Sequence, residues 1–340
     1  MSQTLTGIVR FHSVGGAEVL QYEQVPLAEP APGEVRIKIL SLGLNRAEVL
    51  LRQGLYLEKP VFPSRIGYEA CGLVEAMGAG SAEVLAGTGI EIGTRVSTVP
   101  CFSQVKYGVY GETAVVPARS LVACPTNLSD VEGASVWMQY LTAYGAIKML
   151  GDVKPEEYVL ITAASSSVGY AAIQLVNREG AIAIATTRSA AKKEALLKAG
   201  AAHVIVTETE DLVAEVKRIT AGKGASIVFD AVAGPMMLPL ARAAAYEAKI
   251  FIYGALSLES TTFPLQLALK RGLGVCGYTM FQVVDDEARF ARAKEYVLAA
   301  LADGSFKPVI DRVFPYRELR EAQKYMESNQ QQGKIVVALS

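Results

Sequence analysis

The clearest chemical signal in the sequence is a turn of small residues between an apolar run and a helical pattern. Tyr158–Thr162 has the composition of a buried strand, and the pattern Ala164-x-Ser166-Ser167-x-Gly169 follows it directly. The small and apolar residues from Val168 to Asn177 predict a helix that packs close to the strand and aims its first amides at a phosphate. Units of this kind bind the pyrophosphate of dinucleotides. We therefore predict cofactor contacts at Ala164, Ser165, Ser166, Ser167, Val168 and Gly169. Only the third glycine of the G-x-G-x-x-G pattern is present, so ordinary packing of small residues is the alternative.

The end of the next strand bears on which dinucleotide would bind. A site for NAD carries an Asp or Glu about 20 residues after the turn, where it binds the ribose hydroxyls. Here the strand-like run Ala181–Thr187 is followed by Arg188 and Ser189, with Lys192 shortly after. A guanidinium beside a hydroxyl and an ammonium suits a dianionic 2′-phosphate. We predict NADPH as the cofactor, with contacts from Thr187, Arg188, Ser189 and Lys192. The alternative is a solvated basic face at the start of a helix.

Composition excludes several other classes. The chain has 340 residues, 51% of them hydrophobic, and a formal net charge of -1. A pI near 6.2 and dispersed basic residues argue against a nucleic-acid partner. No run of roughly 18 uninterrupted apolar residues occurs, and residues 1–16 have no signal-peptide pattern, so we expect no membrane association. The 4 cysteines are scattered instead of forming a disulfide framework, which favours a cytoplasmic location.

The chain divides into two regions of different composition, and these regions supply the elements that position the residues above. From Met1 to about Ala123 the sequence is punctuated by Pro and Gly, with short alternating strands such as Val35–Leu40 and Thr113–Pro117, which indicates an all-β, barrel-like lobe. Strands and helices then alternate, as in a doubly wound parallel sheet. The expected strands are Tyr158–Thr162, Ile182–Thr187, His203–Val206, Ser226–Asp230 and Ile250–Tyr253, followed by Gly274–Tyr278, a helix near Asp286–Ala302 and a last strand at Lys334–Leu339. We predict an α/β protein.

Several short segments carry a resemblance to one family. They are Gly43–Asn45, Gly67–Val74, Thr162–Gly169, Lys198–His203 and Gly333–Val337. They are similar to the medium-chain dehydrogenase/reductase superfamily, and most of all to its zinc-free branch of quinone oxidoreductases, zeta-crystallin and enoyl reductases. The resemblance implies a GroES-like β lobe, expected over residues 1–127 and 270–340, and a Rossmann NADP-binding domain over residues 128–269. The serine pair Ser166-Ser167 replaces the usual Gly-Gly of that branch.

A zinc site is not expected. The zinc alcohol dehydrogenases of the superfamily hold their catalytic metal with two Cys and one His. By the resemblance, Asn45 stands at the first Cys position and Tyr68 at the His position, and Gln139–Thr142 offers no Cys. With only 2 histidines in the chain, a metal cluster and a Ser-His-Asp triad are both disfavoured. We interpret Glu69 as a buried, hydrogen-bonded carboxylate.

Without a Lewis acid, the acceptor itself must be electrophilic. An alkene conjugated to a carbonyl, or a quinone, accepts hydride more readily than a simple ketone does. In enoyl-reductase relatives a Tyr shortly after the Asn-containing turn donates a proton, and Tyr56 lies at the matching place. We predict Tyr56 as the acid and Asn45 as a residue that orients substrate or nicotinamide; an amphipathic wall residue is the alternative for Tyr56. The quinone-reductase relatives tend to carry a further Tyr near Leu50, which this chain lacks.

Further cofactor contacts are expected near the ends of other elements. The resemblance places Thr142 near the nicotinamide, although a Thr in a helix also bonds its own backbone. Tyr253 and Gly254 end the fifth strand of the expected Rossmann sheet, Phe281 follows the next strand, and Lys334 precedes the last one. For these the alternatives are a packed aromatic ring and a solvated lysine.

Two functional classes remain open at this point. The first is an NADPH-dependent reductase of a small electrophilic acceptor, and we expect it to be a homodimer. The second is a non-enzymatic NADPH-binding protein of the zeta-crystallin type, structural or regulatory. Oxidation of NADPH by a panel of enones and quinones would distinguish them.

Overall fold

Two structural units make up the chain. The computed structural model describes residues 4–339, so residues 1–3 and 340, at the ends of the expected β lobe, lie outside the described residues. The first unit contains the residues up to Met138 and those from Ile310 onward, and the second is Gln139–Val309.

Two sheets build the first unit within the described part of the chain. A three-stranded sheet has the order β2-β1-β4, and a seven-stranded sheet has the order β15-β16-β3-β5-β6-β8 with β7 paired to β3. The strands are β1 Leu5–Phe11, β2 Gln21–Pro26, β3 Glu34–Gly43, β4 Ser64–Arg65, β5 Glu69–Met77, β6 Arg95–Thr98, β7 Thr113–Pro117, β8 Leu121–Ala123, β15 Ile310–Pro315 and β16 Lys334–Ala338.

Strand β3 illustrates why these segments form a half-buried sheet. Val35, Ile37 and Ile39 are buried, whereas Arg36 and Lys38 between them are not. This period of two sends alternate side chains to opposite faces. β3 pairs in antiparallel fashion with β5, β7 and β16, so it joins the N-terminal and C-terminal parts of the unit.

Short helices connect these strands. They are α1 Arg46–Arg52, α2 Ser81–Val84, α3 Gln104–Tyr107, α4 Asp130–Gly133 and α13 Leu319–Glu327, with 3₁₀ turns at Ala17–Val19, Ala118–Ser120 and Tyr316–Glu318.

The second unit is a parallel sheet with helices between its strands. Its order is β11-β10-β9-β12-β13-β14, and every pairing is parallel. The strands are β9 Tyr158–Ile161, β10 Ile182–Thr187, β11 His203–Val206, β12 Ala225–Asp230, β13 Ala244–Ile252 and β14 Gly274–Gly277. Counted within the unit, this order is 3-2-1-4-5-6, the Rossmann arrangement, and it reverses direction between β9 and β12.

The helices of this unit flank the sheet. They are α5 Trp137–Ala143, which begins in the first unit, α6 Ser167–Arg178, α7 Lys193–Lys198, α8 Leu212–Ile219, α9 Met237–Ala243, α10 Leu265–Arg271, α11 Phe281–Val284 and α12 Glu287–Ala302, with a π-helical turn at Tyr144–Leu150 and 3₁₀ turns at Ala190–Lys192 and Gly234–Met236. Core residues Leu160, Ile184, Val228 and Ile250 are fully buried, as expected for parallel strands covered on both faces. No helix among the described residues is long and apolar enough to cross a membrane.

The predicted fold class is confirmed, but the structure divides the chain at different residues from the expected boundaries. Residues 270–309 lie in the parallel-sheet unit, because β14 pairs with β13 and Phe306 stacks on Tyr140 with ring centroids 4.3 Å apart. Residues 128–138 lie with the β unit, where the Ser41 hydroxyl donates to the Asp130 carbonyl at 2.6 Å and the Ser97 hydroxyl donates to the Gly133 carbonyl at 2.8 Å.

Candidate functional site

The turn between β9 and α6 forms a tight cradle. Ser166 is the N-cap of α6, and its hydroxyl accepts a hydrogen bond from the Gly169 amide at 3.1 Å. A Cβ on Gly169 would lie 2.4 Å from the Ala164 carbonyl oxygen, a separation that real Cβ atoms do not adopt. The third glycine of the pattern is therefore required for the close approach of helix and strand. Ser165, Ser167 and Val168 are half-buried around the same turn.

Basic groups lie at the end of β10, next to the cradle. The Lys192 ammonium donates to the Ser165 hydroxyl at 3.3 Å, so this lysine reaches the turn itself. Arg188 is exposed and has no ion pair or hydrogen bond to any other residue that the structure describes. Thr187 is buried, and its hydroxyl donates to the Ser189 carbonyl at 3.4 Å. Two cations and a hydroxyl-bearing turn thus lie at the end of β10.

A buried carboxylate at the end of β12 was missed from the sequence. Asp230 is fully buried, and its Oδ1 accepts from the Thr162 hydroxyl at 2.6 Å and from the Val232 amide at 2.9 Å. Its Oδ2 accepts from the Ala233 amide at 2.9 Å. Asp230 therefore fixes the loops after β9 and β12. These loops lie where the order of strands along the sheet reverses. A buried Asp that ends an apolar strand is the signal that could have revealed it.

The predicted contacts at the end of β13 lie against this region. Tyr253 stacks on Phe229 with ring centroids 4.0 Å apart. Burial raises the pKa of the Tyr253 phenol, and the charge of Asp230 raises it further. A Cβ on Gly254 would lie 2.9 Å from the Ala231 carbonyl oxygen. Because β9, β12 and β13 are parallel, Tyr253 and Gly254 lie at the same end of the sheet as the cradle, and the Tyr253 ring is a packed aromatic.

Thr142 and Phe281 lie on two other elements of the second unit. Thr142 is buried on α5, and Phe281 is the half-buried first residue of α11. The Tyr278 hydroxyl, at the end of β14, donates to the Leu141 carbonyl at 3.2 Å, which links the two regions.

The first unit contains a buried polar cluster around Asn45. The Asn45 side-chain amide donates to the Gly43 carbonyl at 3.2 Å and to Glu48 Oε1 at 3.1 Å, and its oxygen accepts from the Lys334 ammonium at 2.7 Å. Both amide hydrogens are therefore used inside the protein. One lone pair of the Asn45 side-chain oxygen remains available to a ligand.

Glu48 is the acceptor at the centre of this cluster. It is fully buried. It accepts hydrogen bonds from the Asn45 backbone amide at 2.6 Å, from the Tyr68 backbone amide at 3.2 Å and from the Tyr110 hydroxyl at 2.7 Å. Burial raises the pKa of Glu48, and the hydrogen bonds from Asn45 and Tyr110 and the charge of Lys334 oppose the shift.

Lys334 is not a solvated lysine. It is the first residue of β16, and its ammonium forms an ion pair with Glu69 in which the two side chains are 0% and 1% exposed. Glu69 also accepts from the Met138 amide at 2.9 Å, which confirms the interpretation of Glu69 as a buried, hydrogen-bonded carboxylate. With bonds to Glu69 and Asn45, the ammonium keeps one hydrogen for a further acceptor.

Tyr56 lies between α1 and β4 in the irregular segment 53–63 and is half-buried. Burial raises the pKa of its phenol. A phenol in this state is a neutral donor at physiological pH. Tyr56 and Asn45 thus lie in the first unit, whereas the predicted cofactor contacts apart from Lys334 lie in the second.

The residues at the expected zinc positions do not fit a metal. Asn45 is engaged with Glu48 and Lys334, and Tyr68 offers a phenol in place of an imidazole. No group of three or more His, Cys, Asp or Glu side chains within residues 4–339 could hold a metal ion. A zinc site needs about three such ligands.

Two family models match the chain. The model of the alcohol dehydrogenase GroES-like domain matches residues 31–126, and the model described as zinc-binding dehydrogenase matches residues 167–297. The first match falls in the β unit and the second in the parallel-sheet unit.

Known proteins resemble the chain over nearly its full length. The synaptic vesicle membrane protein VAT-1 homolog of Rattus norvegicus is 28% identical and covers 95% of this chain and 81% of its own. The 2-haloacrylate reductase of a Burkholderia species is 27% identical, and the match covers 96% of this chain and 97% of that protein. Quinone oxidoreductase 1 of Escherichia coli is 28% identical, and the match covers 97% of this chain and 98% of that protein.

A solved structure is similar in fold as well as in sequence. The crystal structure of an Escherichia coli quinone oxidoreductase complexed with NADPH superposes with a TM-score of 0.87 at 27% identity, and 98% of this chain and 99% of that chain are covered. Together with the two domain models, these similarities assign the family. The chain belongs to the medium-chain dehydrogenase/reductase superfamily, in the branch of quinone oxidoreductases and enoyl reductases.

Proposed function

We propose that the protein is an NADPH-dependent reductase of an activated acceptor, namely an α,β-unsaturated carbonyl compound, an enoyl thioester or a quinone. The observation that carries the proposal is the cradle at Gly169 with Lys192 bonded into it and the unpartnered Arg188 beside it. The relatives support it, because one is a quinone oxidoreductase complexed with NADPH and another is named for the reduction of a haloacrylate, an alkene conjugated to a carboxylate.

Different residues of the chain would bind the pyrophosphate, the 2′-phosphate and the nicotinamide end of NADPH. The first amides of α6 would receive the pyrophosphate, since a helix N-terminus favours anions. Arg188, Ser189 and Lys192 would bind the 2′-phosphate. Thr142, Tyr253, Gly254 and Phe281 would lie near the nicotinamide end, and the remaining hydrogen of the Lys334 ammonium would reach a ribose or phosphate oxygen.

The residues of the first unit argue for an acceptor that is already electrophilic. NADPH, when bound, supplies a hydride to the electrophilic carbon of the acceptor. Asn45 and Tyr68 stand at the positions expected of zinc ligands, so the chain offers hydrogen bonds there and no Lewis acid. Tyr56, a neutral phenol, would then donate its proton to the carbon next to the carbonyl, and the lone pair of the Asn45 oxygen would orient a donor group of substrate or nicotinamide.

We further propose a cytoplasmic homodimer. The four cysteines are free thiols, which suits a reducing compartment. β14 is the last strand of the six-stranded sheet, and Cys276 and Gly277 on it are exposed. Exposed apolar side chains lie in the chain segment that precedes β14: Leu258, Phe263, Leu265 and Leu269. A free edge of this kind can pair with the same edge of a second copy.

The test is direct. Purified protein is mixed with NADPH and a panel of enones, enoyl thioesters, 2-haloacrylates and quinones, and absorbance at the reduced nicotinamide band is followed, with NADH as the comparison. We expect turnover with at least one alkene or quinone and a preference for NADPH. Tight NADPH binding without turnover on any acceptor would instead support a non-enzymatic NADPH-binding protein, and absence of NADPH binding would refute both functions.

A further inference from the structure

Ala163 opens the turn of the cradle in a conformation that alanine rarely adopts. It follows Thr162, the first residue after β9, and it has a positive φ of 45°. Residues with a Cβ seldom enter this left-handed region, which glycine usually occupies. Such backbone persists only where surrounding contacts impose it, and it is concentrated at functional sites. The contacts that hold Ala163 therefore point to what the turn does.

The left-handed conformation of Ala163 directs the chain from β9 into α6. The Ala164 amide donates to the Thr186 carbonyl of β10 at 3.1 Å, and the Ala163 carbonyl accepts from the Ser166 amide at 2.9 Å. Ser166 is the N-cap of α6. Because a helix N-terminus is the part that receives an anion, the conformation of Ala163 sets the position of the predicted pyrophosphate site.

Thr162 and Asp230 tie the start of this turn to the neighbouring strand. β9 and β12 pair in parallel, and the Thr162 amide donates to the Phe229 carbonyl at 3.1 Å. The Thr162 hydroxyl donates to Asp230 Oδ1 at 2.6 Å and accepts from the Ala231 amide at 2.9 Å. Thr162 and Asp230 are 1% and 0% exposed. One buried hydroxyl thus makes two hydrogen bonds between the ends of the two strands.

The remaining contacts of Asp230 hold the loop after β12. Its Oδ1 also accepts from the Val232 amide at 2.9 Å, and its Oδ2 accepts from the Ala233 amide at 2.9 Å. Ala233 has a positive φ as well, of 58°. Two left-handed alanines therefore lie on either side of one buried hydrogen-bonded pair, and the carboxylate is the acceptor that organises both loops.

We propose that Thr162 and Asp230 form a clamp that holds Ala163 in its left-handed conformation and so positions the turn 163–169 to bind the pyrophosphate of NADPH. Both are positioning residues, because they act on the cofactor through the backbone of the turn. This rests on the proposed function, in which NADPH is the cofactor. Since NADPH and NADH share the pyrophosphate, the clamp contributes equally to the binding of both.

The test uses Thr162→Val, which keeps the shape of the side chain and removes the hydroxyl. Fluorescence titration measures the affinities for NADPH and NADH. Thr162→Val should weaken both cofactors by the same factor, about tenfold, because a displaced turn loses a hydrogen bond to a charged phosphate. Loss of a 2′-phosphate contact would spare NADH instead. Thr162→Ser, which keeps the hydroxyl, should bind both cofactors as the parent does.

Thr220 supplies the matched control in the same unit. It is also 1% exposed. Its hydroxyl likewise donates to a carbonyl, that of Val216 at 2.7 Å, and accepts from an amide, that of Gly224 at 2.8 Å. Thr220→Val should therefore lower the urea midpoint of unfolding as Thr162→Val does, but leave both cofactor affinities unchanged. Equal cofactor affinities in the two variants would reduce the clamp to a role in stability and overturn the proposal.

Adding Ala163→Gly to Thr162→Val tests the link through Ala163. Glycine adopts a positive φ without the steric cost of a Cβ. The double variant should therefore recover part of the affinity that Thr162→Val loses, for NADPH and NADH alike. Absence of recovery would overturn the action of the clamp on Ala163.

The clamp and the proposed function fail separately. Parent affinities in Thr162→Val, or a loss confined to NADPH, overturn the clamp even where the parent binds NADPH and reduces an acceptor. A parent that binds no NADPH overturns the proposed function itself.

If Thr162→Val does not fold, Asp230→Asn decides. Either orientation of the new NH₂ group faces a donor, because the Ala233 amide lies on one side and the Thr162 hydroxyl and Val232 amide lie on the other. Asp230→Asn should then weaken NADPH and NADH equally, and parent affinities for both would overturn the clamp.

Discussion

The ammonium nitrogen of Lys192 lies 3.3 Å from the hydroxyl oxygen of Ser165. This contact joins the segment after β10 to the turn after β9, two regions that parallel pairing of the strands places side by side. A basic group therefore reaches the turn that would receive a pyrophosphate, and Arg188 stays exposed, with no partner among the described residues. We expect this arrangement to decide between NADPH and NADH.

The first prediction concerns Arg188. Arg188→Ala should weaken NADPH binding about tenfold or more and leave NADH binding unchanged, because loss of a charged hydrogen bond costs about 1.5–3 kcal/mol. Fluorescence titration with each cofactor measures this. Arg242→Ala, which removes another exposed arginine of the same unit, controls for the change in net charge. Equal weakening of both cofactors would remove Arg188 as the reason for the preference.

The second prediction is that activity needs no zinc. Metal analysis of active protein should find no stoichiometric zinc, and chelators should leave the rate unchanged, since Asn45 and Tyr68 cannot supply the soft or imidazole ligands that a catalytic zinc requires. One tightly bound zinc per chain, with loss of turnover on its removal, would contradict this.

The parallel-sheet unit was largely predictable from local patterns. The strand boundaries Ile182–Thr187 and His203–Val206 agree with the structure, because continuous apolar runs between turn signals identify buried parallel strands. β13 was placed too late in the chain. The strand begins at Ala244, but its pairing with β12 is irregular near Ala225 and Glu247 has a positive φ of 58°. Because of this irregularity, the first residues of β13 do not alternate between apolar and polar as a regular strand does.

The buried polar pairs could not be predicted, because each joins distant parts of the chain. Lys334 and Glu69 are 265 residues apart, and Thr162 and Asp230 are 68 apart. Local periodicity carries no information on such partners. The motifs identified Asn45 and Glu69 as polar positions, but only the structure shows that Lys334 connects them.

The third prediction concerns that connection. Glu69→Gln should lower the free energy of unfolding by about 3 kcal/mol, since it leaves the Lys334 charge buried without its partner. Adding Lys334→Met should recover much of the loss, because the unpaired charge is removed. Urea unfolding of the four proteins in this cycle measures the coupling, and additive losses would contradict a buried ion pair.

The fourth prediction concerns the β14 edge. Cys276→Arg should shift the protein from dimer to monomer in analytical ultracentrifugation, because a charge at a paired edge opposes strand addition. Leu197→Arg on α7, where Leu197 is 45% exposed, is the control and should leave the dimer intact. A parent protein that is monomeric at all concentrations would refute the dimer.

The last prediction separates the two acceptor classes through Tyr56. When a carbon–carbon double bond is reduced, the product must take a proton at carbon, a step that a positioned phenol assists by roughly 100- to 10,000-fold. The oxygens of a reduced quinone exchange protons with water readily, so a missing phenol should matter little. Tyr56→Phe should therefore lower the rate with an enone or enoyl thioester substantially and leave NADPH binding and quinone reduction nearly intact. Stopped-flow rates with one acceptor of each class measure the ratio, and the control is Tyr107→Phe, which removes a hydroxyl that donates to Glu34 at 2.9 Å in the same unit. Equal rates for Tyr56→Phe and the parent on every alkene would mean that the proton comes from solvent or from a ribose hydroxyl of the cofactor.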